Sequence, residues 1–353
     1  MSKESISIII PTLLPVGNPA ILRLLKSMET SLRVSETKLR FDVTLAINSK
    51  PSFSQSLPGS LSEDVANFLC DQLSFPVKVI GVADEGLVNA RHAGISANPQ
   101  SDFFSFLDDD VFVGEGFFNG LAKVVKSSIL LATGSVLPNW LAEPPQWLLS
   151  LYDAGKPWRN TPALSIQEIP ETLEVIHNNY VWGANFVVCR SVIDRCMGFH
   201  PDSYQKNKII LRGDGETHVA NCALQHGVKA RALSDLRVYH DVPTSRMTHE
   251  FFFYRAALEG VSYSFRKVRA GVAPRAELGL DSKTLLLNSH LSEVCENFLE
   301  SHKLVLSGPR DTEQEKIAIT LGFTWHQEAC YKNPKLVDWC RRPHYFRKTY
   351  LTF

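Results

Sequence analysis

The chain has 353 residues, a formal net charge of zero and a sequence pI of about 7.2. A neutral chain has no global field that draws it to nucleic acid or to an anionic membrane, so the sequence predicts no nucleic-acid partner. The length predicts one large domain with an extension rather than a single compact domain.

The sequence shows no clear membrane-spanning segment, signal peptide or paired-cysteine motif. No apolar run approaches the roughly 20 residues that cross a bilayer, and the first residues, MSKES, do not begin a signal peptide. The seven cysteines are scattered and odd in number, and none lies in a CxxC pair, which indicates reduced thiols. We therefore expect a cytoplasmic protein.

Strands and helices alternate in the first part of the chain. Runs of β-branched and aromatic residues predict strands, and apolar residues at helical spacing predict helices, with Asn18 as the N-cap of the first. The predicted strands are 6–10, 41–47, 77–82 and 101–107, and the predicted helices are 18–39, 61–73 and 87–97. This alternation favours a mainly parallel, Rossmann-like α/β sheet flanked by helices.

The second part continues this pattern and then becomes helical. Its predicted elements are a helix at 117–128, strands at 130–136 and 180–188, an irregular Pro/Trp-rich segment at 137–170, a helical turn at 191–196, a helix at 216–226 closed by Gly227, and a strand at 229–239 ending at His240. From Thr244 onward the pattern is helical. We therefore predict an α/β domain at 1–243 and a mainly helical C-terminal extension at 244–353.

Three adjacent carboxylates, Asp108, Asp109 and Asp110, follow the apolar strand 101–107. Charges at the end of a buried strand are costly unless they reach water or a cation. Ligands of open α/β sheets bind beyond the carboxyl ends of the strands, and carboxylate oxygens suit Mg²⁺ or Mn²⁺. The triplet therefore predicts a divalent-cation site, and the alternative is a solvated acidic turn.

Six motifs, in this order along the chain, favour the divalent-cation site over the solvated acidic turn. They are ISIIIPT, EGLVNARHAGI, FLDDDVFV, WGANFVVCRSV, GDGETHVANCALQHG and VYHDVPTSRMT. Together they resemble the family 2 glycosyltransferases of the GT-A fold, over about three quarters of the chain. The resemblance implies an inverting transfer from a nucleotide-sugar donor, with Mn²⁺ or Mg²⁺ bound at the diphosphate. It makes 1–243 the GT-A catalytic domain.

The resemblance assigns roles to the acidic motif. Asp110 matches the direct metal ligand, and Asp108 matches the residue that contacts the donor or reaches the metal through water. Asp109 is placed at the donor or in solvent. His240 matches the histidine that contacts the metal or diphosphate in many GT-A enzymes, and its alternative is a structural role.

The catalytic base is predicted at the start of the helix 216–226. Counting back from Gly227, Glu216 matches the family's base, and Gly215 stands where the family has another acid. Asp214 is the alternative base. Acids at a helix N-terminus are also common without catalysis, because the helix dipole favours negative charge there.

The donor pocket is predicted from matches to the same motifs. Arg91 would bind the nucleotide or diphosphate, and its alternative is a salt bridge to Asp84 or Glu85. Asn48 stands where the family has an acidic turn, and its amide could bond the base edge. The other residues predicted at this site are Pro11, Thr12, Asp84, Gly183, Ala184 and Asn185.

The function predicted from the resemblance is transfer of a hexosyl or N-acetylhexosaminyl group, from a UDP-sugar, to a glycan, a lipid-linked sugar or a small glycoside. The alternative is a non-catalytic nucleotide-sugar or glycan-binding protein on the same scaffold. A nucleotidyltransferase is disfavoured because 11–18 contains one glycine and no basic residue. A dehydrogenase is excluded because no GxGxxG follows the first strand.

The C-terminal end interleaves basic and aromatic residues from Trp339 to Phe353. One interpretation is a terminal segment packed on the rest of the protein, with its rings buried. The other is peripheral contact with the inner face of a membrane, with rings at the headgroup level and cations attracted to anionic lipid.

Overall fold

The structure is a computed structural model that describes residues 5–13, 18–48, 73–84, 86–153, 159–174, 180–202, 206–276, 290–304, 306 and 312–346. The chain forms two compact units. The sheet unit comprises Met1–Asn139, Lys156–Phe199 and Gly215–Asp241, and the helical unit comprises Trp140–Gly155, His200–Asp214 and Val242–Phe353. The predicted domain boundary at 243/244 stays a prediction.

Eleven strands lie within the described residues. They are β1 Ser5–Thr12, β2 Arg40–Ile47, β3 Val77–Gly81, β4 Phe103–Leu107, β5 Val111–Val113, β6 Leu131–Trp140, β7 Asn160–Thr161, β8 Ile166–Gln167, β9 Leu173–Glu174, β10 Asn185–Cys189 and β11 Arg231–Val242.

The helices of the same described part are α1 Pro19–Val34, α2 Leu87–Ala97, α3 Phe117–Lys126, α4 Gln146–Asp153, α5 Arg190–Arg195, α6 Gly215–Gln225, α7 His249–Arg269, α8 Leu291–Ser301, α9 Thr312–Lys332 and α10 Pro334–Cys340. Among them, none is both long and apolar enough to span a bilayer.

Eight of these strands follow one path in the order β3-β2-β1-β4-β10-β6-β11-β5, and the short strands β7, β8 and β9 pair off it. The first four are parallel, and β4 is buried along its whole length. Such a strand is expected to be apolar at nearly every position, and FFSFL has four aromatic or aliphatic side chains and one small hydroxyl, Ser105. Beyond β4 the pairings given by the structure are antiparallel. The predicted α/β fold with a C-terminal helical extension is confirmed, and its sheet is mixed.

The N-cap residue and the spacing of apolar residues explain where α1 begins and which of its faces is buried. Asn18 caps α1 by accepting a hydrogen bond from the Ala20 N–H, as predicted. The helix buries Ile21, Leu25 and Met28 against the sheet core, which contains the apolar side chains of β1 and β2. The spacing of these residues by three and four positions is that of one helix face.

Three elements differ from the prediction. The strand predicted at 180–188 is shorter at its start, since β10 begins at Asn185 after a turn. The last strand runs on to Val242 because its end pairs with β5, and His240 therefore lies inside β11. The segment 137–170 contains regular elements, β6 to Trp140 and α4. The helix predicted at 61–73 lies outside the described residues except for Leu73.

The predicted reduced state of the cysteines is wrong for one pair. Cys196, just after α5, forms a disulfide with Cys222 on α6, with their Cα atoms 5.8 Å apart. The two cysteines meet because both helices pack in the sheet unit, which local spacing does not reveal. Cys189, Cys295, Cys330 and Cys340 are free thiols.

The C-terminal segment is packed through two of its rings. Trp339 and Tyr345 are buried in the helical unit, their ring centroids lie 5.3 Å apart, and the Tyr345 hydroxyl donates to the Trp339 carbonyl. These contacts support the packing interpretation for both rings. Residues 347–353 lie outside the described part.

The helical unit depends on two glycines where α7 and α9 cross. A Cβ on Gly260 would overlap the Ile319 carbonyl oxygen, and one on Gly322 would overlap the Ala257 carbonyl oxygen. The two backbones are therefore in direct contact, and neither position has room for a methyl group.

We predict that Gly260→Ala and Gly322→Ala each lower the free energy of unfolding by about 1–3 kcal/mol, because the helices must separate to admit the methyl group. Urea denaturation followed by circular dichroism measures this loss. Lys316→Ala, at an exposed position of α9, should change stability by less than about 0.5 kcal/mol. Equal effects at all three positions would contradict the crossing geometry.

Candidate active site

The carboxyl ends of the four parallel strands bring several predicted residues to one edge of the sheet. Asn48, just after β2, donates its backbone N–H to the Thr12 carbonyl at 2.7 Å. Its side-chain amide donates to the Asp84 carbonyl at 2.5 Å and accepts from the Gly86 N–H at 2.8 Å. Asn48 thus joins the segments that follow β1, β2 and β3.

Asp109 turns towards the end of β1. Its Oδ2 accepts a hydrogen bond of 2.6 Å from the Thr12 hydroxyl. Burial, together with the charges of Asp110 and Asp108, raises the pKa of Asp109 to about 6, although the Thr12 bond favours its charged form. The three carboxylates repel one another, and a cation beside them would relieve that repulsion.

Asp108, Asp110 and His240 form a group whose ligand atoms lie within 4.8 Å of one another. The antiparallel pairing of His240 with Val111 produces this arrangement, since Asp110 precedes Val111. His240 Nε2 lies 3.1 Å from Asp110 Oδ1, and His240 is buried. The prediction placed both residues at the metal, and the fold brings them together.

The hydrogen bonds of His240 orient its second nitrogen. Nδ1 lies 3.0 Å from the Leu164 carbonyl oxygen, which can only accept, so Nδ1 carries a proton. In the neutral ring, Nε2 then presents a lone pair towards the Asp110 carboxylate. Two lone pairs in contact require a proton or a cation between them.

This geometry fits a divalent cation. Two ligands at right angles around an ion with bonds of about 2.1 Å lie about 3.0 Å apart, close to the 3.1 Å between Nε2 and Oδ1. Two carboxylates and one imidazole are suitable donors for Mn²⁺ or Mg²⁺. The residues present therefore fit the metal that the resemblance implies.

Asp241 is a neighbour of this group that the sequence did not indicate. Its backbone N–H donates to the Asp110 carbonyl at 3.0 Å, and its carboxylate pairs with Arg23 and accepts from Asn139 Nδ2 at 2.7 Å. Asp241 thereby fixes the main chain at Asp110. The only available signal was its position directly after His240.

Glu216 lies in the first turn of α6, as predicted, and both carboxylate oxygens are bound. Oε1 accepts from the Gly183 N–H at 2.9 Å, and Oε2 accepts from Arg91 Nη1 at 3.1 Å. A Cβ on Gly183 would overlap Arg91 Nη2, so a larger residue there would have to displace the Arg91 guanidinium. The Glu216 side chain keeps 19% exposure, whereas that of Arg91 keeps 2%.

Arg91 is a buried cation held by rings and by one carboxylate. Its guanidinium carbon lies 5.4 Å to 6.0 Å from the ring centroids of Phe106, Phe186 and Phe199. The structure pairs Arg91 with Glu216; the predicted alternative, a salt bridge to Asp84 or Glu85, stays a prediction, and Glu85 lies outside the described residues. With 2% side-chain exposure, Arg91 acts on the site through Glu216.

The sheet register places Gly183, whose N–H binds Glu216, at the same end of the sheet as the acidic triplet. Asn185 of β10 pairs with Leu107 of β4 in antiparallel fashion. Gly183 precedes Asn185 by two positions, and Asp109 follows Leu107 by two positions. The carboxylates and Glu216 therefore belong to the same end of two neighbouring strands.

Asp214 has a different environment, in the helical unit. Its Oδ1 lies 2.6 Å from His200 Nδ1, and both side chains are buried. Sequence inspection missed His200 as a partner of Asp214. An Asp–His pair at this distance is also able to accept a proton.

Two residues predicted at the donor site, Pro11 and Asn185, lie in strands β1 and β10, and Ala184 lies in the turn just before β10. Pro11 and Ala184 are buried, and Asn185 has 0% exposure. The Asn185 amide donates to the carbonyls of Ser135 and Leu236, at 3.2 Å and 2.8 Å. We therefore omit all three from the proposed donor contacts.

Comparison with known proteins gives structural likeness only. No protein-family model and no curated protein sequence matches the chain. Among solved structures, S. aureus TarS is 15% identical with a TM-score of 0.42, over 79% of this chain and 41% of the TarS chain. This chain thus spans less than half the length of that protein.

Two other structures cover both chains more fully. S. aureus TarS 1-349 is 13% identical with a TM-score of 0.43, over 93% of this chain and 91% of the other. The mannosyltransferase PcManGT from Pyrobaculum calidifontis, solved in complex with GDP-Man and Mn²⁺, is 12% identical with a TM-score of 0.47, over 96% and 86%.

We predict that Arg91→Met lowers the free energy of unfolding by on the order of 3 kcal/mol, because it removes the buried partner of Glu216. Urea denaturation of Arg91→Met, Glu216→Gln and the double variant measures the coupling between the two residues. It should reach about 1 kcal/mol or more. Additive single effects would show that the two side chains do not interact.

Proposed function

We propose that the chain is a metal-dependent, inverting glycosyltransferase that uses a nucleotide-sugar donor, with a UDP-sugar as the first candidate. The observation that carries the proposal is the Asp108, Asp110 and His240 group at the carboxyl edge of the sheet. The sequence resemblance assigns that group to the donor diphosphate. The arrangement of ligand atoms supports this assignment.

In this proposal the donor lies along the sheet edge formed by the ends of β1 to β4. Asp110 and His240 would hold the metal, with Asp108 at the metal or the donor. An ion held there would supply positive charge to offset the negative charge of the leaving diphosphate. Thr12 and Asp109 hold each other, so their proposed role is to shape the pocket beside the nucleotide.

Glu216 is the proposed general base. It would take the proton of the acceptor hydroxyl while that oxygen attacks the anomeric carbon and the bond to the diphosphate breaks. Attack opposite the leaving group inverts the configuration. Arg91 and Gly183 orient Glu216, and its partly exposed side chain leaves access for a hydroxyl.

The second candidate for the base is Asp214, supported by its 2.6 Å contact with His200. A carboxylate that orients an imidazole lets the pair remove a proton. Glu216 is favoured because it lies in the sheet unit together with the acidic triplet.

A second candidate function is non-catalytic binding of a nucleotide sugar or glycan. The observation that favours it is the occupation of both Glu216 oxygens by Arg91 and Gly183, which reduces the capacity to accept a proton. Under this alternative the acidic group binds metal and donor, but no sugar is transferred or hydrolysed.

The acceptor is proposed as a glycan, a lipid-linked sugar or a small glycoside, and the transferred group as a hexose or N-acetylhexosamine. Peripheral membrane contact would rest on the exposed Arg341 and His344, since Trp339 and Tyr345 are buried. Residues 1–243 would form the GT-A catalytic domain.

We predict that EDTA abolishes sugar transfer and that Mn²⁺ or Mg²⁺ restores it. Asp110→Asn should lower turnover on the order of 10²–10³-fold, the scale of a lost electrostatic contact in the transition state. The measurement is release of nucleoside diphosphate over a panel of nucleotide sugars with Mn²⁺ present.

The matched control is Asp194→Asn, an exposed acid on α5, which should retain full activity. Binding of Mn²⁺ and donor without transfer or hydrolysis would favour the non-catalytic alternative. Full activity in excess chelator would remove the metal from the mechanism.

We predict that Glu216→Gln lowers turnover by about 10²-fold or more while donor affinity changes little, because the amide keeps the shape but cannot accept the proton. Steady-state kinetics beside donor titration separates the two effects. If Asp214→Asn is the more damaging change in a protein that stays folded, Asp214 rather than Glu216 is the base.

A further inference from the structure

A second cluster of metal-ligating side chains lies in the helical unit, and the proposed transfer reaction does not use it. His326 and Cys330 are on α9, and Cys340 is the last residue of α10. One ligand atom from each lies within 4.8 Å of the others. His326 and Cys340 are 0% exposed and Cys330 is 1% exposed.

The helices explain why these residues meet. His326 and Cys330 are four positions apart and therefore lie on one face of α9. Asn333 ends α9 and caps α10 by accepting from the Lys335 N–H, which turns the chain back. Cys340 then approaches the His326 face from the second helix.

The donor set specifies a class of metal. Two cysteine sulfurs and an imidazole, with no carboxylate among them, favour thiophilic ions such as Zn²⁺ and Cu⁺ over Mg²⁺, Ca²⁺ or Mn²⁺. Two thiolates also cancel the charge of Zn²⁺, so a bound ion would leave this buried place without net charge.

The surroundings of His326 are those of a metal-binding imidazole. Its Nδ1 lies 2.7 Å from the Ser264 hydroxyl of α7, and Gln327 Nε2 donates to that same oxygen at 2.8 Å. The Ser264 oxygen can accept from both, which leaves the Nε2 lone pair for a metal. Ser264 is fully buried, so this contact fixes the ring.

The distances agree with this assignment. In a tetrahedral zinc site with Zn–S of about 2.3 Å and Zn–N of about 2.05 Å, sulfur and nitrogen lie about 3.6 Å apart. Cys330 Sγ lies 4.0 Å from His326 Nε2 and 3.7 Å from Nδ1, so it stands beside the ring within reach of an ion bound at Nε2. A movement of a few tenths of an ångström would bring both atoms into coordination.

A disulfide is the other chemistry open to two neighbouring cysteines. The structure joins Cys196 to Cys222 but keeps Cys330 and Cys340 as free thiols. A disulfide between the two cysteines would not require the histidine that Ser264 holds beside them. Both observations favour the metal.

We propose that His326, Cys330 and Cys340 bind a thiophilic metal ion, Zn²⁺ or Cu⁺, that joins α9 to α10. Three protein ligands form a trigonal site for Cu⁺, and Zn²⁺ would add one exogenous ligand. The role is structural, and it is independent of the proposed transferase function.

The test begins with the full chain purified without chelator. Metal analysis should find about one equivalent of zinc or copper per chain, which identifies the ion. Titration of the metal-free, reduced protein with Co²⁺ should give thiolate-to-cobalt charge-transfer absorption. Blocking the thiols with an organomercurial should release the ion from the wild-type protein. This release tests whether cysteines bind the metal without the need for a substitution.

Single substitutions test which residues bind the metal. Cys340→Ser and Cys330→Ser should each remove the charge-transfer band and lower metal affinity by at least about 10-fold. Cys295→Ser, a buried free thiol on α8 of the same unit, should leave both unchanged. Asp110→Asn should also leave the band unchanged, which separates this site from the acidic group.

Two results would overturn the proposal. One is a reduced wild-type protein that binds neither Zn²⁺ nor Cu⁺ and shows no charge-transfer band with Co²⁺. The other is a native Cys330–Cys340 disulfide, found by peptide mass spectrometry, whose reduction restores no metal binding. Loss of transferase activity would not bear on either result.

Discussion

Parallel pairing of β1 with both β2 and β4 is the constraint on which the candidate site depends. Parallel strands end at the same edge of a sheet, so this pairing brings the residues after β1, β2 and β4 together. Thr12 can then bond Asp109, and Asn48 can join its neighbours. Without this alignment the acidic triplet would be an ordinary surface turn.

Arg91 is the second constraint, because a buried guanidinium requires compensation. Three phenylalanine rings surround it and Glu216 neutralises it. The pair connects α2 with the start of α6, and the Gly183 N–H connects both with the approach to β10. The same contacts that stabilise the charge therefore also orient the proposed base.

The helical unit is also held together by close packing of buried residues. Its α7 and α9 helices meet at two glycines, and this contact leaves Ser264 facing His326. Ser264, His326 and Gln327 bond one another there, as buried polar groups require. The His326, Cys330 and Cys340 cluster follows from this packing rather than from any motif of the transferase.

The sequence alone determined the identity of most elements, because helix and strand periods, caps and turns depend on neighbouring residues. Asn18 at α1, Gly227 after α6 and the Asp triplet after β4 were all predicted from a few adjacent letters. Only the tertiary structure decided which of these residues meet. Arg91 and Glu216 are 125 positions apart, and Thr12 and Asp109 are 97 apart. Such pairs, like the Cys196–Cys222 disulfide, are selected by strand order and helix packing, which no local pattern records.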